Sequence, residues 1–129
     1  MKQTLTLFLL LIGIASFAQT KIATTDAWKH IGDSVLIQDQ VYSVKVLDNG
    51  MTMLNLGGNF PNHLLVVMIP AKLNALFPGK PDDVNGNIIT ITGKLINYNG
   101  KPEIIVSNQL QIEFIPLVKD SKGKRPTGG

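Results

Sequence analysis

The chain has no cysteine among its 129 residues. Disulfide cross-links, thiol nucleophiles and thiolate metal sites are therefore excluded, and any fold it adopts is held by its core alone. Arginine is almost as scarce: the one residue is Arg125, near the end. A nuclease-type site built from clustered carboxylates and arginine has nothing to build on. Histidine is limited to His30 and His63, and aromatic residues are 6% of the chain. Two histidines so far apart in sequence read as surface or capping residues rather than converging metal ligands. Net charge of one sign is also missing. From Gln19 to Val118 seven lysines face eight acidic residues, a net charge of −1, and the formal +3 of the chain comes from its two ends. A protein dedicated to neutralising many phosphates is normally basic. No glycine-rich loop runs into Lys-Ser or Lys-Thr, Ser34, Ser43 and Ser107 have no evident base, and Asp82-Asp83 reads as a solvated turn. The expectation is a protein without catalytic activity, cofactor or metal.

What is present begins with an address. Lys2 precedes an apolar run from Leu5 to Ile14, and Ala15-Ser16-Phe17-Ala18 follows. This pattern reads as a signal peptide over residues 1–18, cleaved after Ala18. The run is short for a bilayer span, which needs ~20 residues. The expected location is periplasmic or secreted, without stable membrane insertion after cleavage. Residues 19–118 form the expected single domain. The basic stretch 119–129, poor in apolar residues, is expected to be disordered.

Within the domain the patterning is mainly β. Ile88 to Ile96 carries Ile89, Ile91 and Leu95 at one parity and Thr90, Thr92 and Lys94 at the other, as a half-buried strand does. Asn97-Tyr98-Asn99-Gly100 supplies a reversal, and Glu103 to Val106 the return strand, with Pro102 at its start. Upstream, Ser34 to Leu47 alternates with one phase at Val35 and Ile37 and the other at Val44 and Val46, which predicts a bulge or bend near Asp39-Gln40. Asp48-Asn49-Gly50 predicts a type I′ hairpin into the strand Met51 to Leu56. After the loop Gly57 to Asn62, His63 to Ile69 is apolar nearly throughout, so buried on both faces. Pro70 opens a short helix, Ala71 to Phe77, whose Leu73, Leu76 and Phe77 cap the core. A helix over Lys21 to Ile31, capped by Thr25 or Asp26, turns Ala27, Trp28 and Ile31 inward, with Trp28 as a core plug. Ile112 to Leu117 adds an edge strand. Three strands, a short helix and two strands predict a mainly β, five-stranded Greek-key barrel, the oligonucleotide/oligosaccharide-binding (OB) fold.

Particular residues then carry a family resemblance. His30-Ile31-Gly32, the strand Val35 to Val46, Leu54-Asn55-Leu56-Gly57-Gly58, Val84-Asn85-Gly86 leading to Thr92-Gly93-Lys94, and Tyr98-Asn99-Gly100-Lys101-Pro102-Glu103-Ile104 resemble small exported bacterial OB-fold domains of the nucleic-acid-binding type. The likeness spans about Lys29 to Phe114. One departure is Asp39, where the first strand of such domains usually carries glycine at its bend. The resemblance implies a ligand laid across the second and third strands between the flanking turns. The ligand-binding candidates are Tyr42, Phe60 and Tyr98 as stacking rings, Lys45, Lys94 and Lys101 as cations, and Asn49, Thr52, Asn55 and His63 on the same strands and loops. Single-stranded nucleic acid is the first expected partner; a protein or glycan of the cell envelope is the second.

Overall fold

In the computed structural model, which describes residues 19–116, eight strands form one continuous curled sheet. The expected signal peptide and the basic tail lie outside the described residues. The strands are β1 (Thr20–Lys21), β2 (Ser34–Val46), β3 (Thr52–Leu56), β4 (Leu65–Ile69), β5 (Ile88–Lys94), β6 (Ile96–Tyr98), β7 (Lys101–Ile105) and β8 (Ile112–Ile115). Their order is β6-β7-β4-β3-β2-β5-β8, and β1 runs parallel to the start of β2. The sheet closes on itself because β5 and β6 are consecutive. β5 pairs with β2, one residue (Leu95) intervenes, and β6 pairs with β7. With β7 running parallel to β4, this is the OB-fold barrel.

The long strand β2 serves both halves. Ser34 to Gln40 pair with β5, and Val41 to Val46 pair with β3. The irregularity falls between Val41 and Ser43, not at Asp39-Gln40. Val41 stays buried with Val35 and Ile37, and Tyr42 is the extra residue that turns the phase. Asp39 sits in regular register opposite Ile89 with ordinary backbone angles, so no glycine is required there. Its carboxylate instead accepts hydrogen bonds from the Thr24 hydroxyl and, at 2.7 Å, from the Gln40 N–H.

The barrel interior follows strand parity. Leu54 and Leu56 of β3, Leu65, Val67 and Ile69 of β4, and Ile89 and Ile91 of β5 meet Leu95, Ile104 and Val106. All five residues of β4 are buried, as its unbroken apolar run predicts. The strand expected over Ile88 to Ile96 divides at Leu95, and only its last turn-side residues face the return strand, Ile96 opposite Glu103.

The helices are all short and of the 3-10 type: Thr24–His30, Ala71–Leu76, Pro81–Val84 and Gln109–Gln111. With three residues per turn, positions i and i+3 share a face. In the first helix that face holds Thr24 and Ala27, both buried, and leaves Trp28 and Ile31 exposed. The inward placement of Trp28 and Ile31 assumed a period of 3.6 and is corrected by this geometry. Ala23 occupies the N-cap position without a side-chain bond, so neither Thr25 nor Asp26 caps the helix. In the second helix Leu73 and Leu76 share the inward face and are only half covered. The core is sealed at that end by Phe77, which leans on Phe114 at 5.4 Å, and by Val84 of the third helix.

Candidate functional site

The two faces of β3 separate the candidates on it. Thr52 points inward with Leu54 and Leu56 and is fully buried, so it cannot meet a ligand on the outer face. Met53 and Asn55 point outward. Register carries that face across the sheet: Ser43, Asn55, Val66, Glu103 and Ile96 lie in one row, and Lys45, Met53, Met68 and Ile105 in the next. Asn55 is nevertheless buried. Its amide donates to the Ser43 hydroxyl at 2.9 Å, and its carbonyl oxygen has no partner.

A cleft of about 220 Å³ opens on this face between the β3–β4 loop and the β6–β7 turn. Phe60, Pro61 and His63 come from the loop, Tyr98 and Asn99 from the turn, and Met53, Val66, Lys101 and Glu103 from the sheet. The turn is a two-residue reversal with Asn99 at φ 51° and Gly100 at φ 84°, which fits a type I′ hairpin and sets Tyr98 directly opposite Lys101. The Lys101 ammonium is held by the carbonyl oxygens of Pro61 at 2.9 Å and His63 at 2.6 Å, so it fastens the loop to the strand. The imidazole of His63 is buried and lies under the Phe60 ring, 5.5 Å between centroids and 19° from parallel. Burial, and after it the Lys101 charge, hold the His63 pKa below its ordinary value. The neutral ring serves as a stacking support, and its Nδ1 has no hydrogen-bond partner. Glu103 is only 4% exposed, and burial pushes its carboxyl above the usual range.

Two further depressions continue the cleft around the same end of the barrel. One shares His63 and Lys101 with it and adds Trp28, Leu64 and Gly100. The next shares Thr24, Thr25 and Leu64 with that one and ends at Tyr42. Four aromatic rings stand along this band: Phe60 is 73% exposed, Trp28 65%, Tyr98 58% and Tyr42 44%. The Lys29 ammonium lies 5.6 Å from the centre of the Trp28 ring.

The structure thus brings Phe60, His63, Tyr98 and Lys101 together, with Tyr42 at the far end of the same band. Asn49, Lys45 and Lys94 do not line it. Asn49 is tied into its own turn, where its carbonyl accepts the Met51 N–H at 3.0 Å. Lys45 is exposed opposite Met53, and Lys94 is exposed at the end of β5 opposite Ser34. Sequence reasoning passed over Trp28 and Glu103. For Glu103 a signal existed: Lys101, Glu103 and Ile105 share one parity, so the acid had to lie on the outer face of a strand flanked on both sides.

No protein-family model matches this sequence, and no curated protein matches it. Solved structures do. OBody AM1L10, bound to hen egg-white lysozyme, has a TM-score of 0.56 at 14% identity, over 78% of this chain and 95% of its own. OBody AM3L15, also bound to hen egg-white lysozyme, has a TM-score of 0.56 at 13% identity, over 78% of this chain and 97% of its own. The asparaginyl-tRNA synthetase of Entamoeba histolytica, in complex with asparaginyl-adenylate, has a TM-score of 0.53 at 20% identity, over 75% of this chain and 24% of its own. The chain therefore spans about a quarter of that synthetase. At these identities the likeness is one of fold, and the chain is built as an OB-fold barrel.

Proposed function

We propose that this chain is a non-catalytic, exported binding module that takes single-stranded nucleic acid along the aromatic band. The observation that carries the reading is the clustering of Phe60, Trp28, Tyr98 and Tyr42, the exposed aromatic rings of the described residues, on one continuous surface. Exposed rings cost solvation and return nothing to the core, whereas successive unstacked bases gain about 1–3 kcal/mol each on such platforms. Lys101 supplies local positive charge to a domain that is nearly neutral as a whole, while Lys29 beside Trp28 is paired with Asp26 at 3.4 Å. Binding is therefore weak, carried more by stacking than by phosphate contacts, and only modestly salt-dependent.

Trp28 is the only tryptophan and so reports on the site directly. Titration with a single-stranded oligonucleotide at low salt quenches its fluorescence and raises the anisotropy of a labelled strand. An unchanged Trp28 signal and flat anisotropy at high micromolar protein overturn the reading. A second reading, a module holding a protein or glycan of the cell envelope, draws on the near-neutral charge of residues 19–118 and on the OBody domains, which hold a protein partner. Recovery of one partner from envelope extract, insensitive to nuclease, favours it.

A further inference from the structure

We infer that the cleft between Phe60 and Tyr98 is a pocket for one guanine base, read by Glu103 and Lys101. The inference rests on the nucleic-acid reading above and names what that reading leaves open, the base preferred at one position.

The floor of the cleft sets the demand. Glu103 lies in the sheet between Val66 and Ile96 and lines the cleft, and its carboxylate makes no hydrogen bond or ion pair among the described residues. Among the described residues the fully enclosed side-chain polar atoms without a partner belong to Thr52, Asn55 and His63, so the Glu103 oxygens keep a narrow opening to the cleft, where donors on a ligand replace a poor hydration shell. Ionised, the carboxylate offers two acceptor oxygens and no donor. A ligand that satisfies both oxygens presents two adjacent donors. Lys101 stands two residues earlier on the same face. Two of its three N–H groups are taken by the Pro61 and His63 carbonyls, which leaves one for an acceptor on the ligand. The cleft therefore asks for donor, donor, acceptor along one edge of a flat group whose faces meet aromatic rings.

Among the bases only guanine carries that order, with its exocyclic N2 amine, N1–H and O6 side by side. Adenine and cytosine place a single amine beside an acceptor, and thymine and uracil place one N–H between two acceptors. Base edges of single strands are free to be read in this way. A free cation is disfavoured, although aromatic rings and a carboxylate suit one, because the Lys101 ammonium already lies on the cleft wall.

The test uses the chain with labelled homothymidine dodecamers that carry one central guanine, hypoxanthine, adenine, cytosine or thymine. Hypoxanthine is guanine without the N2 amine, so it removes one donor without altering the protein. A good bidentate pair discriminates by about tenfold or more, so the guanine strand is expected to bind about tenfold tighter than the others, hypoxanthine included. Glu103→Gln is expected to shrink that preference to about twofold. Equal binding of all five strands overturns the guanine pocket and leaves the nucleic-acid reading intact. Equal affinity for guanine and hypoxanthine overturns the assigned role of Glu103. Binding of none of them overturns the nucleic-acid reading itself, and the pocket with it.

Discussion

Asn-Gly occurs twice at a hairpin in this chain, and the two turns differ in backbone, in neighbours and in what they leave open. At Asn99-Gly100 both residues take positive φ, and nothing lies within 4 Å of where a Gly100 side chain would begin. At Asn49-Gly50 only Gly50 does so, at φ 88°, and the turn closes through Gly50 N–H to Leu47 O at 2.9 Å. The expected type I′ form is replaced there by a longer loop with one left-handed residue, because Leu47 N–H also pairs with Met51 O. That turn packs on the Ala71–Leu76 helix, with Asn74 donating to the Gly50 carbonyl at 3.3 Å. One end of the outer face is therefore closed by local packing. The other is open, rimmed by aromatic rings, and floored by a carboxylate without a partner. The lesson is that a turn dipeptide marks a reversal, while its surroundings decide whether the reversal is structure or site.

Removing the wall that both ends share breaks the comparison most completely. Leu54→Ala empties the barrel interior and is expected to cost about 2–5 kcal/mol by chemical denaturation, with both ends lost in one transition. The two turns can then be set against each other. Alanine at either glycine adopts a left-handed conformation at a cost of about 1–2 kcal/mol. Gly50→Ala also drives its Cβ to 2.9 Å from that of Ala71, so its melting temperature falls further than that of Gly100→Ala. Equal losses from the two substitutions would erase the distinction between a packed and an open turn.

The open end also responds to pH. His63 holds its proton less readily in the fold than its ordinary value of 6.5. The unfolded chain binds that proton first, so stability falls as pH drops below about 6.5. Glu103 works in the opposite sense. Its carboxyl keeps a proton to higher pH than its ordinary value of 4.5, so the fold is favoured below that value and loses the advantage as pH rises through the raised pKa. Thermal melts of Glu103→Gln from pH 4 to 7 are expected to lose the second trend and keep the first, and the variant is expected to melt higher than the parent at pH 7. The smallest effects on stability fall on the rim. Phe60→Ala and Trp28→Ala are expected to change stability by no more than about 0.5 kcal/mol. Each weakens oligonucleotide binding by about tenfold, read by anisotropy. Val46→Ala, an exposed position toward the packed end, is expected to change neither.

The strands were legible because a sheet's side-chain period is fixed at two, and Val35, Ile37, Leu54, Leu56, Ile89 and Ile91 announce it without reference to anything distant. The apolar run of β4 announced burial on both faces in the same way. Parity alone also removes Thr52 from the outer face, where it had been expected among the ligand-binding residues. The helices were misread at Trp28 and Ile31, since choosing between periods of 3.0 and 3.6 depends on what the segment packs against rather than on its own residues. The Thr24 contact with Asp39, from the neighbouring strand, belongs to that packing.

By itself the sequence determined that a barrel forms, which residues fill it and where the chain reverses, because these follow from local alternation and backbone preference. The tertiary structure alone decided that Trp28, Phe60, Tyr98 and Tyr42 share one surface and that Glu103 lies unpaired beneath it. Those relations depend on strand register and on a lysine, Lys101, bridging to carbonyls 38 and 40 residues away, and no local pattern encodes a contact at that separation.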